Sequence, residues 1–204
     1  MSSKIIRDAL ALTAITLVAG LALGAVYGIT KDPIARQEEL ARQEAYQEVF
    51  PDAEQFQTLN LDTARAEQIR EGLDAEGYTQ DSIQEVNEAL DEDGRLLGYA
   101  ITVLSTAGYG GEIRFSMGVG LDGMVNGISF LSISETAGLG MKADTEEFRG
   151  QFAGKQVEAF AYTKNGASAE NEIDAISGAT ITTSAVTDAV NAGLCAFRLL
   201  GTDN

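Results

Sequence analysis

The chain has 204 residues, 45% of them hydrophobic, enough for one good-sized domain. Its 14 basic and 31 acidic residues give a net charge of −17, which makes nucleic acid and anionic lipid headgroups poor partners. Histidine is absent and Cys195 is the only cysteine, which excludes a histidine-based catalytic triad, an internal disulfide and a Cys-His metal cluster.

From Ala9 through Thr30 no residue is charged. That length suffices to cross a bilayer core, and it exceeds the roughly 7 to 15 apolar residues of a signal peptide. The expectation is a retained transmembrane helix over 9–30 rather than a helix buried in a soluble core. Lys4, Arg7 and the amino terminus before the span outweigh Lys31 and Arg36 after it, which places residues 1–8 in the cytoplasm. Beyond residue 31 the chain keeps 11 basic and 30 acidic residues, net −19, and this part is expected on the extracytoplasmic side. Asp32 can cap a new helix with Pro33 in its first turn. Ile34, Ala41, Ala45 and Val49 then recur at helical spacing as far as Phe50-Pro51, so 31–58 reads as a helical stalk. Leu59 to Gly77 has few apolar residues and predicts a short helix or a loop.

From about Ser82 the pattern turns to strands punctuated by Asp-Gly and Asn-Gly turns. Asp93-Gly94 precedes the run Arg95 to Leu104. Ile113, Phe115, Met117, Val119 and Leu121 alternate before Asp122-Gly123, and Met124 to Ile133 follows. Period-two apolar residues describe half-buried antiparallel strands. Val157 to Tyr162 is a shorter run ahead of Asn165-Gly166, and Val186, Val190, Leu194 and Phe197 form the stripe of an amphipathic helix from about Ser184 to Leu200. The sum is an α+β domain over 59–204, an antiparallel sheet packed with helices. Gly118 to Gly123 fits G-x-G-x-x-G, but the strand-like Met124 to Phe130 follows it, and a dinucleotide site needs a helix there.

Before the last helix stands Asp174-Ala175-Ile176-Ser177-Gly178-Ala179-Thr180, followed by Ile181-Thr182-Thr183. A Ser/Thr/Gly cluster in this position is commonly a loop and N-cap and nothing more. Ser177 as a nucleophile lacks both a histidine base and a Gly-x-Ser-x-Gly setting. The cluster also suits a phosphate. Amides at a helix N-terminus supply about half a positive charge without a lysine, Gly178 and Ala179 admit the main chain closely, and Thr182 and Thr183 carry hydroxyl donors.

The pattern Asp-x-x-Ser-Gly-Ala-Thr resembles the site at which flavin transferases esterify the phosphate of FMN to threonine. Ser134 to Lys142, which contains Glu135-Thr136-Ala137-Gly138-Leu139-Gly140, with Phe148 to Phe152 after it, resembles the ETPGLG segment of the same FMN-binding domains. Gly108 to Ile113 resembles their GYGG stretch. The three matches occur in the family's order. Over about residues 82 to 200 plus the anchor, the chain resembles the G subunits of the Rnf membrane complex. It is also similar to the C subunits of the sodium-pumping NADH:quinone oxidoreductase, which are usually longer.

What the resemblance implies is a single-pass plasma- or inner-membrane protein carrying covalent FMN. It would relay electrons between ferredoxin and NAD(+) beside other membrane subunits of an ion-pumping complex, after maturation by a flavin transferase. In that carry-over Thr180 is the attachment site. Ser177, Gly178, Ala179, Thr182 and Thr183 surround the phosphate, Thr136, Gly138, Leu139 and Gly140 lie near the isoalloxazine, and Glu135 counts among the cofactor-binding residues. Asp174 belongs to the transferase's recognition pattern. Ala137 departs from the usual proline, and Ile133 stands where many relatives have histidine, so proton transfer there is not expected. The chain would be a redox subunit without acid-base residues of its own. A subunit of a sodium-pumping NADH:quinone oxidoreductase, a stand-alone extracytoplasmic flavin carrier and a membrane-tethered binding or scaffold module without redox chemistry remain as alternatives.

Overall fold

The computed structural model describes residues 2–201. The chain divides into two compact units between Ala41 and Arg42.

Helix α1 runs without a break from Ser2 to Val49, with Pro33 inside it. Asp32 therefore caps nothing, contrary to the expectation of a new helix start. A proline removes one backbone donor, but beyond Ile34 residues 35–40 (Ala, Arg, Gln, Glu, Glu, Leu) are strong helix formers that carry the turn onward. Among the described residues of the first unit the large apolar side chains, Leu10, Ile15, Leu21, Leu23 and Ile29 among them, are exposed. The best 18-residue window has a mean hydropathy of 2.2. By length and composition this helix can cross a membrane.

In the second unit the last turns of α1 are buried at Ala45, Tyr46 and Val49. The helix stops there, and Gln55–Thr58 form strand β1 rather than the end of a stalk. Thr63–Glu76 form a full helix, α2, where the sequence predicted only a short helix or loop. Its ends explain why it holds despite few apolar residues. The Asp62 carboxylate accepts the Arg65 N–H at 2.8 Å, and Gly77 closes the helix with φ 92°. Ile69 and Leu73 supply its buried face.

Strands β2 (Asp81–Leu90), β3 (Leu96–Ser105), β4 (Ile113–Gly120) and β5 (Val125–Ile133) follow. With β1 they form an antiparallel meander in the order β1-β2-β3-β4-β5. One face contributes Val86, Ile101, Val103, Ile113, Phe115 and Met117 to the main core, together with residues of α2 and α4. The other face is not open to solvent, as a half-buried strand would require. Tyr46, Val49 and Phe50 cover Ala89 and Ala100 in a second cluster. The Tyr46 hydroxyl accepts from Asn87 Nδ2 at 3.0 Å and meets Thr102 Oγ1 at 3.2 Å, and Thr102 continues to Ser116 at 3.1 Å. Burial pushes the Tyr46 phenol up to about 12, which keeps this row neutral.

After β5 come a 3-10 turn (Gly140–Asp144) and a short helix, α3 (Glu146–Arg149). The run predicted at 157–162 yields strand β6 (Ala161–Thr163), which pairs in parallel with β7 (Glu172–Asp174) in a separate two-stranded sheet. It does not join the antiparallel sheet. Helix α4 closes the fold over Thr180–Leu200, and fourteen of its residues are buried. It starts four residues before the predicted Ser184, so Thr180 to Thr183 are its first turn and not a loop ahead of it.

α4 lies against the sheet at Gly193, where a Cβ would stand 2.0 Å from Met117 Sδ. Overpacking a filled core costs about 1–3 kcal/mol, so Gly193→Val is expected to lower the unfolding free energy of the detergent-solubilised chain by that amount in a urea titration. Burial also pushes the Asp81 carboxyl up to about 6, against a lowering by the Ser105 hydroxyl. Because this folded value exceeds the unfolded one of 3.8, the folded state takes up the proton first, and stability falls as pH rises through 4 to 6. Asp81→Asn is expected to flatten that slope in unfolding measured across the same range.

Candidate functional site

The segment ahead of α4 is held from both sides. The Asp174 carboxylate accepts the Ala167 N–H at 2.7 Å, and its own N–H donates to Gln151 Oε1 at 2.6 Å. Ala175 N–H donates to Thr163 O at 2.8 Å. Asn191 on α4 clamps the approach to β6 by donating to Phe160 O at 3.0 Å and accepting the Phe160 N–H at 2.7 Å. Thr183, fully buried, accepts the Ile176 N–H at 3.1 Å and donates to Ala179 O at 3.0 Å. One threonine side chain thus ties the turn 176–179 onto the first turn of the helix. Gly178 adopts φ 79° between these fixed points, a left-handed value that favours glycine.

The opposite wall is the loop after β5. It is anchored by Phe148, packed edge-on to Phe152 at 5.7 Å, and by Phe160 against Phe152 at 5.0 Å. Gly140 brings this loop onto α4. A Cβ there would stand 2.6 Å from Glu135 Oε2 and 2.7 Å from Thr182 Oγ1. Glu135 in turn reaches the GYGG stretch, its Oε1 accepting the Tyr109 N–H at 2.7 Å.

Between the two walls lies a cavity of about 530 Å³, lined by Tyr109, Glu135, Thr136, Leu139, Gly140, Gly178, Ala179, Thr180, Ile181 and Thr182. Its volume suits an organic ligand or cofactor. Three well-separated sequence segments meet here. At one end are the amides of the first turn of α4, which lack partners within the helix and form an anion site without a cation. At the rim Tyr109, Leu139 and Ile181 are exposed apolar groups, suited to the faces of a flat aromatic ring.

Of the residues the sequence singled out, eight line this cavity: Glu135, Thr136, Leu139, Gly140, Gly178, Ala179, Thr180 and Thr182. Three do not. The Thr183 hydroxyl is committed to the turn and is no phosphate donor. Ser177 is exposed and faces a neighbouring groove with Lys142, Gln151 and Asp174. Gly138 is exposed at the tip of its loop. Two lining residues were passed over. Tyr109 had a signal in the GYGG stretch, whereas Ile181 had none, because an exposed apolar residue in a helix's first turn has no period to mark it.

An FMN-binding domain model matches residues 108–194, and a model of the RnfG N-terminal region matches 1–49. The first match contains every residue lining the cavity. The chain is 32% identical over 199 residues to the G subunit of the Na(+)-translocating ferredoxin:NAD(+) oxidoreductase complex of Acetobacterium woodii, covering 94% of this chain and 90% of that one. The chain belongs to the family of Rnf complex G subunits. A second relative, the G subunit of the proton-translocating ferredoxin:NAD(+) oxidoreductase complex of Clostridium ljungdahlii, is 30% identical over 88% of this chain and 84% of its own. The G subunit of the ion-translocating oxidoreductase complex of Methanosarcina acetivorans is 28% identical over 95% and 94%. Among solved structures, the C subunit of the Na(+)-translocating NADH-quinone reductase from Parabacteroides distasonis shares the fold, with a TM-score of 0.52 and 21% identity over 83% of this chain and 96% of that one.

The residues present fit the FMN of the domain model: a helix N-terminus for the phosphate and an apolar rim for the ring. In this member of the Rnf family the turn 176–180 depends on Thr183. Thr183→Val leaves the Ile176 N–H buried without an acceptor, which costs about 1–3 kcal/mol. Amide exchange at Ile176 is expected to speed up accordingly, with the rest of α4 protected as before.

Proposed function

We propose that this chain is the membrane-anchored electron-transfer subunit of an ion-translocating ferredoxin:NAD(+) oxidoreductase complex, and that it holds FMN as a phosphate ester of Thr180. The observation that carries this reading is the position of Thr180. It is the first residue of α4, half-buried, on the wall of a cavity with no lysine or arginine among its lining residues.

Each part of the wall has a task in this reading. The first-turn amides of α4 face the phosphate and offset its charge. Forming the diester removes one of the two charges that a free monoester carries, which matters in a segment of net −19 beyond residue 31. Leu139, Ile181 and Tyr109 flank the ring, and Thr182 offers a hydroxyl beside the phosphate. Bound FMN supplies one- and two-electron redox chemistry, and the protein supplies position and electrostatics. No histidine is available to carry protons.

Residues 9–30 span the membrane, residues 1–8 lie in the cytoplasm, and the domain from 59 onward stands on the extracytoplasmic side, as the distribution of basic residues around the span suggests. On that side a dissociable flavin would be lost by diffusion, and an ester prevents this. The other membrane subunits of the complex are its partners. A separate flavin transferase makes the ester and meets Asp174, Ser177 and Gly178 on the exposed side of the turn.

A peptide containing Thr180 from native membranes is expected to be heavier by one FMN less water. Thr180→Val should abolish in-gel flavin fluorescence while leaving the thermal unfolding of the domain unchanged. An unmodified native peptide, or a fluorescent Thr180→Val band, would refute the ester.

A further inference from the structure

Among the described residues, Glu135 is the single charged side chain that lines the cavity. Its Oε1 is fixed by the Tyr109 N–H at 2.7 Å, which keeps the carboxylate from swinging outward. Its Oε2 is buried with no hydrogen-bond partner among the described residues. That oxygen and Thr182 Oγ1 lie 2.6 and 2.7 Å from one point, the place a Cβ on Gly140 would take. The carboxylate therefore faces the first turn of α4 across the space that a methyl group would fill.

A phosphate at this helix end meets about half a positive charge from the amides and a full negative charge from Glu135. The balance depends on how many charges the phosphate brings. A monoester carries about −1.5 to −2 at pH 7, a diester carries one, and riboflavin carries none. No lysine or arginine among the lining residues is available to offset the difference.

We infer that Glu135 is a specificity determinant that turns away the free phosphate monoester, so that the cavity retains flavin phosphate only as the ester of Thr180. This rests on the FMN reading of the site and deepens it: the residue that weakens binding of free FMN makes occupancy depend on the covalent bond. Glu135 acts by charge and forms no bond in the transfer.

The test uses the full-length chain produced without a flavin transferase, in detergent, titrated with riboflavin and with FMN while flavin fluorescence is followed. Riboflavin is expected to bind at least about tenfold more tightly than FMN, the scale of one added charge facing a nearby carboxylate. Glu135→Gln keeps a carbonyl for the Tyr109 N–H, and it is expected to raise FMN affinity by about tenfold and leave riboflavin unchanged. The native ratio needs no variant, so a poorly folded Glu135→Gln does not remove the test. Equal binding of both flavins by the native chain, a ratio that Glu135→Gln in folded form does not move, or no binding of either flavin overturns the proposal. The ester is read separately from the Thr180 peptide of native membranes. A modified peptide with a flat flavin ratio sinks the role of Glu135 alone, whereas an unmodified peptide sinks the ester.

Discussion

The close contact between α4 and the sheet at Gly193 and Met117 is the constraint on which the rest of the second unit depends. A helix that lies flush on β4 can bury fourteen residues against the core, and its axis is then fixed by the packing of Val186, Val190 and Leu194. With the axis fixed, the N-terminal end has only one place to stand. That place is the mouth of the cavity, and the anion-binding amides are there because of what happens several turns further along the same helix. Packing energy in the core thereby determines the electrostatics at the surface.

The same helix organises the chain that approaches it. Asn191 holds Phe160 and Thr183 holds the turn 176–179, each by a pair of hydrogen bonds from a buried polar side chain. Buried polar groups that are fully paired specify one arrangement of the backbone around them. The turn before α4 is consequently a rigid feature, with Ile176 and Ala179 buried and Ser177 and Gly178 exposed. Glu135 departs from this pairing, with one oxygen bound and the other bare, and of the four described side chains with a buried unpaired polar atom it is the one that lines the cavity.

The end of α1 has a comparable part on the far face of the sheet. Tyr46 joins a row of hydroxyl and amide groups running from Asn87 through Thr102 to Ser116, and Arg42 forms a 2.7 Å ion pair with Glu85. The seam is mostly polar, flanked by the cluster of Val49, Phe50, Ala89 and Ala100. Covering this face converts strands that carry Thr102 and Ser116 on one side into strands buried on both, which alternation in the sequence alone reads as solvent-facing.

Much of this protein was legible in its sequence because the relevant signals are local. An uncharged run from Ala9 to Thr30 is a property of consecutive residues, and so are the alternation of Ile113 to Leu121 and the stripe from Val186 to Phe197. The DAISGAT, ETAGLG and GYGG stretches are short words as well, and eight of the eleven residues named from them line one cavity. One miss was local: the helix formers after Pro33 outweigh its lost donor, so α1 continues through it. The others depend on a partner distant in the chain. The parallel pairing of β6 with β7 is not written in any single window. Neither is the assignment of Thr183 to the turn instead of the phosphate. A hydroxyl next to a helix start looks the same in sequence whether it faces a ligand or a backbone amide. Only the packing of α4 turns Thr182 toward the cavity and Thr183 into the core. The sequence by itself determined which chemistry the site has to work with, an abundance of acid, no histidine, and threonines at a helix start. The tertiary structure decided which of those groups meet, because long-range burial, not local propensity, fixes the rotation of a helix about its axis.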